Sequence, residues 1–193
     1  LIIERYIIFF FFFHIHMEIN KVYKKFSIIV TIWALLFIVI VFLFFFNGFF
    51  VASEFALVSV RRTRLSQLSK EGNKEADIAI ESIDHMDKSI AATQLGITIA
   101  SIGLGWVGES TIVRLIEPVF HFLPETMRGV ATDSLAVSIA FALVTLMHVI
   151  IGELMPKSIA LQYTEKTALV VAKPMYIASK IFAPFIFVLN GIG

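Results

Sequence analysis

The stretch HVIIGELMPKSIA, residues 148–160, ends an apolar run that carries no formal charge from Ser134 through Gly152. Pro156 has no N–H to donate to the Gly152 carbonyl four residues back, and its ring crowds that carbonyl. A helix through this point is predicted to break and to leave the carbonyl oxygen free beside the Glu153 carboxylate. Both oxygens are hard ligands that suit Mg²⁺, Ca²⁺ or Na⁺. The stretch therefore predicts a membrane-embedded helix with a cation-binding end.

The composition of the whole chain is that of an integral membrane protein. Hydrophobic residues make up 58% of its 193 residues, including 20 phenylalanines, which is more than a soluble core can hold. The net charge of +1 gives no indication of a nucleic-acid partner, and the absence of cysteine excludes disulfides and thiolate metal sites. Because the sequence has no HExxH motif, nucleotide-binding loop or serine nucleophile elbow, no enzyme is predicted.

Uncharged segments at 27–53, 89–108 and 134–152 predict three transmembrane helices. Segments of about 20 residues or more, at about 1.5 Å per residue, cross a hydrocarbon core of about 30 Å. The polar segment 61–88 has apolar residues at helical spacing, which predicts an amphipathic helix or helical hairpin, and its lysines and arginines favour the cytoplasmic side. The predicted fold class is an all-α membrane protein with three transmembrane helices plus juxtamembrane amphipathic helices.

The two ends of the chain are interpreted separately. Residues 157–193 are predicted to form a juxtamembrane or re-entrant segment. Its tail, residues 174–193, contains Lys180 and Pro184 within an apolar stretch and could alternatively make a fourth crossing. Residues 1–26 are an N-terminal extension with no assigned function, and Met17 is an alternative start of the protein. The membrane domain is thus predicted to occupy residues 27–193.

Polar residues inside the predicted spans are candidate ligands. Gln94, Thr98 and Ser101 follow one another at i, i+4 and i+7, which places them on one stripe of a helix, while residues 92, 96 and 100 form a ladder of small side chains. The stripe could supply oxygens to an ion, or its members could simply bond to neighbouring helices. Both interpretations stay open.

Four further residues are accessory candidates with structural alternatives. Asn47 and Glu54 lie two helical turns apart, and Glu54 is either a functional acid or a boundary acid paired with the nearby arginines. His148 is a supporting partner of the ligands, a proton relay or a packed histidine. Lys157 is more typical of a lysine that extends from a helix end to water.

Three motifs in this order resemble the transmembrane domain of the CorC/CNNM family of magnesium transport proteins, in its hemolysin-related bacterial branch. They are NGFFVASEFALVSVRRTRLSQLSKEGNKEA, ATQLGITIASIGLGWVGE and GELMPKSIA, and the resemblance extends from about Phe45 to Gly193. It implies a homodimer in the cell membrane that exports Mg²⁺ in exchange for Na⁺. It also implies cytoplasmic CBS and CorC domains in the full-length family members, neither of which this chain contains.

The family's ion site is only partly matched. Gly152, Glu153, Pro156 and Lys157 reproduce the Gly-Glu-x-x-Pro-Lys motif, whereas Val51 stands where many relatives have serine, and a second-span Gly-Asn motif is replaced at 96–101. Serines elsewhere in these spans could supply replacement oxygens. The predicted ligand set is Glu153, Gly152, Ser53, Ser101, Thr98 and Gln94, with Asn47, Glu54, His148 and Lys157 as accessory residues.

Two functions are therefore considered. The first is a secondary transporter that binds Mg²⁺ between its helices, with Na⁺ as the coupling ion. The second is a non-transporting membrane anchor that dimerises a cytosolic CBS-type regulatory module, in which the polar stripe serves only for packing. Charge and spacing do not discriminate among hard divalent ions.

Overall fold

The computed structural model describes residues 2–120 and 130–190, and in this part of the chain it contains helices and no strand. The elements are α1 (Ile2–Ser59), α2 (Arg62–Lys70), α3 (Lys74–Asp84), α4 (Met86–Phe120), α5 (Val130–Met147), a π-helix (His148–Leu154), α6 (Met155–Gln162) and α7 (Thr164–Asn190). The predicted all-α fold class is confirmed.

The number of helices that could cross a membrane is four among the described residues, one more than predicted. They are Tyr23–Ser59, Met86–Arg114, Val137–Gln162 and Thr164–Val188, each long and apolar enough to span a bilayer. The first three contain or overlap the predicted spans. The sequence left the fourth open, either as a crossing or as a re-entrant segment kinked at Pro184, and α7 continues as a helix through Pro174 and Pro184.

The amino-terminal residues 1–39 form a unit of their own, made of the first part of α1. Most of its described apolar side chains, such as Tyr23, Phe26 and Phe37, are exposed. Side chains of this kind on a long helix suit contact with lipid. The alternative start at Met17 stays a prediction.

The second unit, residues 40–193, contains the polar segment as two packed helices, which confirms the predicted helical hairpin. Gly72 has a φ of 91°, a backbone conformation that glycine adopts readily, and it ends α2. Asn73 then caps α3, because its side chain accepts a hydrogen bond of 3.0 Å from the Ala76 N–H. The two turn residues, Gly72 and Asn73, therefore determine where the hairpin turns.

Two apolar cores hold this unit together. One joins the hairpin to the ends of α1, α6 and α7, and is largely alanine: Ala56, Val60, Leu65, Ala76, Ala79, Ala160, Ala168 and Ala172. The other joins α1, α4 and α7 through Phe50, Leu57, Ala92, Met175 and Ile186. Small residues let the helix backbones approach closely, as in membrane bundles generally.

The predicted small-residue ladder on α4 forms a close-packed face. Ala92 and Ala100 are fully buried, and so is Gly96 between them. A Cβ atom added at Gly96 would lie 2.4 Å from the ring of Phe50 on α1. Because Phe50 is itself only 1% exposed, its ring has little room to move. The ladder therefore sets the distance between α1 and α4.

Ion pairs tie the start of α2 to the start of α7 and to the end of α3. Arg61 and Arg64 both contact Glu165, at 3.2 and 3.3 Å, and Arg62 pairs with Asp84 at the end of α3. These pairs are partly exposed, and pairs of this kind contribute at most about 1 kcal/mol each. They fix orientation more than they add stability.

Candidate cation site

The helix that carries HVIIGELMPKSIA changes its hydrogen-bond register where the sequence predicted a break. The N–H of Met155 donates to the carbonyl of Ile150, five residues back, and residues His148–Leu154 form a π-helix. A proline cannot donate the α-helical bond to the residue four positions back, so a wider turn is one way to continue the helix. The helix was predicted to break at Pro156. Instead it changes its hydrogen-bond register and continues directly into α6.

Asn47 on α1 binds the carbonyl that the proline leaves without its α-helical donor. Its side-chain Nδ2 donates to the Gly152 carbonyl oxygen at 2.9 Å, and Asn47 is fully buried. Since a carbonyl can only accept, this bond fixes which end of the carboxamide faces Gly152. The carbonyl oxygen retains a second lone pair.

His148 lies at the centre of the same group of polar atoms. Its Nε2 is 3.1 Å from Asn47 Nδ2, 3.3 Å from Ser101 Oγ and 3.9 Å from Glu153 Oε1. Because Asn47 Nδ2 has only hydrogens to offer, Nε2 is the acceptor in that bond, and the ring proton is then on Nδ1. We refer to Asn47, Ser101, His148, Gly152 and Glu153 as the Asn47 cluster.

The carboxamide oxygen of Asn47 has no hydrogen-bond partner among the described residues, although it is buried. Buried polar atoms in proteins are almost always bonded, and an exception requires an explanation such as a bound ion or water. Leaving such an atom unpaired costs about 1–3 kcal/mol. A cation that this oxygen coordinates, or a water that donates a hydrogen bond to it, would remove that cost.

Two glycines allow the helices of the cluster to approach. A Cβ atom at Gly152 would lie 2.8 Å from His148 Cδ2 and 2.9 Å from Asn47 Nδ2, and one at Gly48 would lie 3.0 Å from the Pro156 ring. All three distances are shorter than ordinary van der Waals contacts. Glycine at these positions therefore lets α1 and the π-helix come close enough for the Asn47–Gly152 bond.

The structure does not bring all predicted ligands into this cluster by hydrogen bonds. Ser53 is buried but donates to the Phe49 carbonyl on its own helix at 2.7 Å. Thr98 donates to the Gln94 carbonyl, also within its own helix, and both side chains are exposed. As ligands, Ser53, Gln94 and Thr98 stay predictions.

Two accessory candidates have partners of their own outside the cluster. Glu54 is half-buried and lies near the hydroxyl of Thr93 on α4. It forms no ion pair with Arg61, whose carboxylate partner is Glu165. Lys157 places its ammonium group 4.4 Å from the centre of the Phe55 ring, which is a cation–π contact that fits a structural role.

The chemistry that this arrangement supports is that of a hard, weakly charged site. It combines one carboxylate with neutral carbonyl, carboxamide and hydroxyl oxygens, and the described residues contain no group of three or more acidic, histidine or cysteine side chains that could hold a metal. A cation bound here would have a single formal negative charge beside it. Such a site suits a cation that keeps some of its water.

Sequence reasoning placed Asn47 and His148 only as accessory residues, whereas they make the contacts at the centre of the cluster. A signal for Asn47 was available, because a lone carboxamide in an uncharged span must find a polar partner. The partner could not be identified from the sequence, since Asn47 and Gly152 are 105 residues apart along the chain. The π-helix likewise depends on the α1 contact as well as on Pro156.

Comparisons with known proteins give consistent matches. The sequence profile described as the cyclin M transmembrane N-terminal domain matches residues 38–193. The chain is 43% identical over 145 residues to the UPF0053 protein YhdT and 45% identical over 147 residues to the UPF0053 protein YrkA, both of Bacillus subtilis (strain 168). A more distant relative, at 27% identity over 141 residues, is the polyamine export protein of Haemophilus influenzae.

The chain corresponds to one part of these longer proteins. The alignments cover 75%, 75% and 73% of this chain but only 31%, 33% and 32% of YhdT, YrkA and the polyamine export protein. The chain thus spans about a third of the length of each. With four helices long and apolar enough to cross a bilayer, it is a multi-pass membrane protein of the cell membrane.

Proposed function

Since the chain belongs to the family of cyclin M transmembrane N-terminal domains, we propose that it is the membrane domain of a Mg²⁺ exporter driven by Na⁺ entry. The cation is the cargo and binds at the Asn47 cluster. The observation that carries this proposal is the buried, unpartnered carboxamide oxygen of Asn47, a residue whose Nδ2 bonds to the carbonyl of Gly152, the neighbour of Glu153. Oxygens of two elements, α1 and the π-helix, thus belong to one cluster.

The ligand types favour Mg²⁺ over softer metals. Carboxylate, carbonyl, carboxamide and hydroxyl oxygens are hard ligands, and the chain has no cysteine to bind zinc or copper. Mg²⁺ requires six oxygens and loses water reluctantly, so water completes the shell around Glu153, Gly152, Asn47 and Ser101. Glu153 supplies the charge, and its side chain is 47% exposed, which gives the ion a path to and from the site.

His148 is proposed as a positioning residue rather than a ligand. Its Nε2 accepts from Asn47 and lies 3.3 Å from the Ser101 hydroxyl, so it holds two proposed ligands in one place, with Glu153 Oε1 at 3.9 Å. Na⁺ has similar oxygen preferences and a smaller charge, and it could occupy the same oxygens after Mg²⁺ leaves. This gives a simple form of exchange in which the two ions compete for one site.

We also infer that two copies of the chain associate, as the family resemblance implies. Gln94 and Thr98 lie on one stripe of α4 and are exposed, and Trp106 farther along α4 is 81% exposed. A carboxamide facing hydrocarbon is costly, and helices in membranes commonly cover such groups with a neighbouring helix. The α4 stripe of a second copy would cover it. The CBS and CorC domains of the resemblance are part of the same proposal.

The test is a measurement of intracellular Mg²⁺ in cells that express the full-length protein and are challenged with high external Mg²⁺. We expect native cells to hold Mg²⁺ down only when external Na⁺ is present. Glu153→Gln, which keeps the shape but removes the charge, should behave like empty cells. Glu75→Gln, on the exposed polar hairpin, is the matched control and should behave like the native protein.

Other outcomes of this experiment would favour other functions. If Glu153→Gln and the native protein lower Mg²⁺ equally, or neither differs from empty cells, the anchor and dimerisation function replaces transport. Because the Haemophilus influenzae relative is named a polyamine export protein, the experiment is repeated with cells loaded with the polyamine spermidine. Export of spermidine with no effect on Mg²⁺ would overturn the choice of cargo.

A further inference from the structure

A second site is formed by a cleft at the junction of the polar hairpin with α4 and α7, and the Asn47 cluster has no part in it. The cleft has a volume of about 650 Å³, which falls within the range of small-molecule sites of about 300–1,000 Å³. One wall comes from the end of α3 and the start of α4, and the other comes from the second half of α7. The hairpin wall is polar, whereas the α7 wall is largely apolar.

The polar end of the cleft carries an excess of positive charge. Lys88 and Lys180 face it from α4 and α7, together with His85, and Glu81 is its one carboxylate. Within the described part of the chain, neither lysine has a carboxylate within 4.0 Å, whereas Arg61, Arg62 and Arg64 nearby all do. Lys180 interacts with the Tyr176 side chain and, at longer range, with Glu81. Since neither ammonium group has a close carboxylate among the described residues, both can contact an anion.

The shape of this end is fixed by local contacts. Ser89 donates to the Ser82 carbonyl at 2.8 Å across the turn between α3 and α4, so the two helices hold a defined angle. On the other wall, the Lys180 ammonium lies 4.2 Å from the centre of the Tyr176 ring. This cation–π contact directs Lys180 along the helix surface toward the cleft.

The other end of the cleft is apolar and open. Its lining includes Pro184, Ile186 and Phe187 of α7. Phe187 is 81% exposed, and the apolar side chains of Ile181 and Val188 on the same helix are also exposed. Tyr176, which lines the cleft beside Lys180, is of a residue type enriched at the boundary between headgroups and acyl chains.

We propose that this cleft binds an anionic phospholipid, with the headgroup phosphate between Lys88 and Lys180 and the acyl chains along Phe187. Charge complementarity selects an anion, and the apolar wall that continues from the lysines selects a lipid over a soluble phosphate. Basic pockets between helices on the side that carries the excess of lysine and arginine commonly bind such headgroups. The lipid would hold α7 against the turn between α3 and α4.

The experiment measures binding of phosphatidylglycerol to the purified full-length protein in detergent by native mass spectrometry, with phosphatidylcholine as the reference lipid. In Lys88→Gln/Lys180→Gln we expect the preference for phosphatidylglycerol to fall at least about fivefold, the factor for one lysine near an anionic surface. The matched control, Lys74→Gln/Lys173→Gln, removes the same charge from exposed lysines outside the cleft and should keep the preference. An equal loss in both double variants, or in neither, overturns the proposal.

A second variant tests the apolar wall, and its result does not depend on whether the double lysine variant folds. Phe187→Ser changes an exposed side chain and should weaken phosphatidylglycerol binding while leaving binding of glycerol phosphate unchanged. If glycerol phosphate displaces the lipid at equal concentration, the ligand is a soluble phosphate and the lipid proposal fails. If loss of the lysines instead abolishes association of two copies with lipid binding unchanged, the cleft is covered by a second copy, and the proposal also fails.

Discussion

Asn47 is the residue on which the account of the cation site depends. It bonds to the Gly152 carbonyl and to His148, and its own oxygen is the buried atom without a partner in the described part of the chain. A single carboxamide thus connects α1 to the π-helix and also offers a ligand. Removing it should affect stability and transport together.

For Asn47→Ala we expect Mg²⁺ efflux to fall at least about tenfold, because the cluster loses a ligand. The loss of the bond to Gly152 should lower the free energy of unfolding by about 1–3 kcal/mol. Efflux from cells and thermal unfolding of the purified full-length protein check the two effects. Thr111→Val is a matched control, because Thr111 is buried and bonds only within α4. Native efflux in Asn47→Ala would remove Asn47 from the site.

Gly152→Ala tests the close approach of the two helices. The added methyl group would meet His148 at 2.8 Å and Asn47 at 2.9 Å. Overpacking of this kind typically costs about 1–3 kcal/mol, and here it also separates the ligands. We expect a lower melting temperature and a loss of efflux, whereas Ile151→Ala, at an exposed neighbouring position, should change efflux little. Efflux retained in Gly152→Ala would show that the Asn47–Gly152 bond is dispensable.

At the residue scale, the sequence identified the Gly152, Glu153 and Pro156 end of the site because the chemistry of proline is local. It could not rank Asn47 above Gln94 or Thr98, since all three are polar side chains in uncharged spans. Only the packing of α1 against the π-helix distinguishes the buried carboxamide from the exposed ones.

The π-helix is the element that places the cluster. Its wider turn accommodates Pro156, and the proline ring packs against Gly48 of α1. Helices with one such turn often carry functional groups there, because the register change directs side chains and carbonyls away from their usual positions.

Pro156→Ala should convert this turn toward ordinary α-helix. The new N–H can donate to the Gly152 carbonyl, which then competes with Asn47 for the same oxygen. We expect efflux to fall while the melting temperature stays the same or rises, a combination that simple misfolding does not give. Pro174→Ala, at an exposed proline inside α7, is the control and should leave efflux unchanged. Unchanged efflux in Pro156→Ala would separate the π-helix from function.

At the element scale, the features set by residues near one another in sequence were predicted correctly. The hairpin at 61–88 follows from its apolar spacing, from Gly72 and from the Asn73 cap, and the ladder at 92, 96 and 100 follows from side-chain size. The sequence left the fourth long apolar helix as one of two alternatives because of its two prolines. Each proline removes only one backbone bond, and the remaining bonds and the packing of Met175 and Ile186 sustain α7.

The whole molecule is proposed to work as a pair of chains. Cysteine crosslinking tests this proposal. Because the chain has no cysteine of its own, an introduced cysteine is the one thiol within this domain. We expect Gln94→Cys to give an oxidant-dependent dimer in membranes, because the exposed α4 stripes face each other in the proposed pair. Phe141→Cys, exposed on α5, is the control and should give none. Crosslinking of Phe141→Cys alone would place the interface on a different helix.

The general class of the molecule was predictable at this scale, and its assembly was not. Apolar composition and uncharged segments are sufficient for a multi-pass helical membrane protein, since only helices and closed barrels span a bilayer. The pairing of chains depends on which exposed face meets a second copy, and that is a property of two surfaces rather than of one sequence.

The most direct test of the cation site is Na⁺-driven Mg²⁺ flux through purified full-length protein in liposomes, followed with a Mg²⁺ indicator, in native, Glu153→Gln and Glu75→Gln forms. The account predicts that the native protein and Glu75→Gln move Mg²⁺ against its gradient when Na⁺ flows the other way, and that Glu153→Gln does not. Equal flux through Glu153→Gln would show that Mg²⁺ crosses without this carboxylate, and the Asn47 cluster would then not be the transport site.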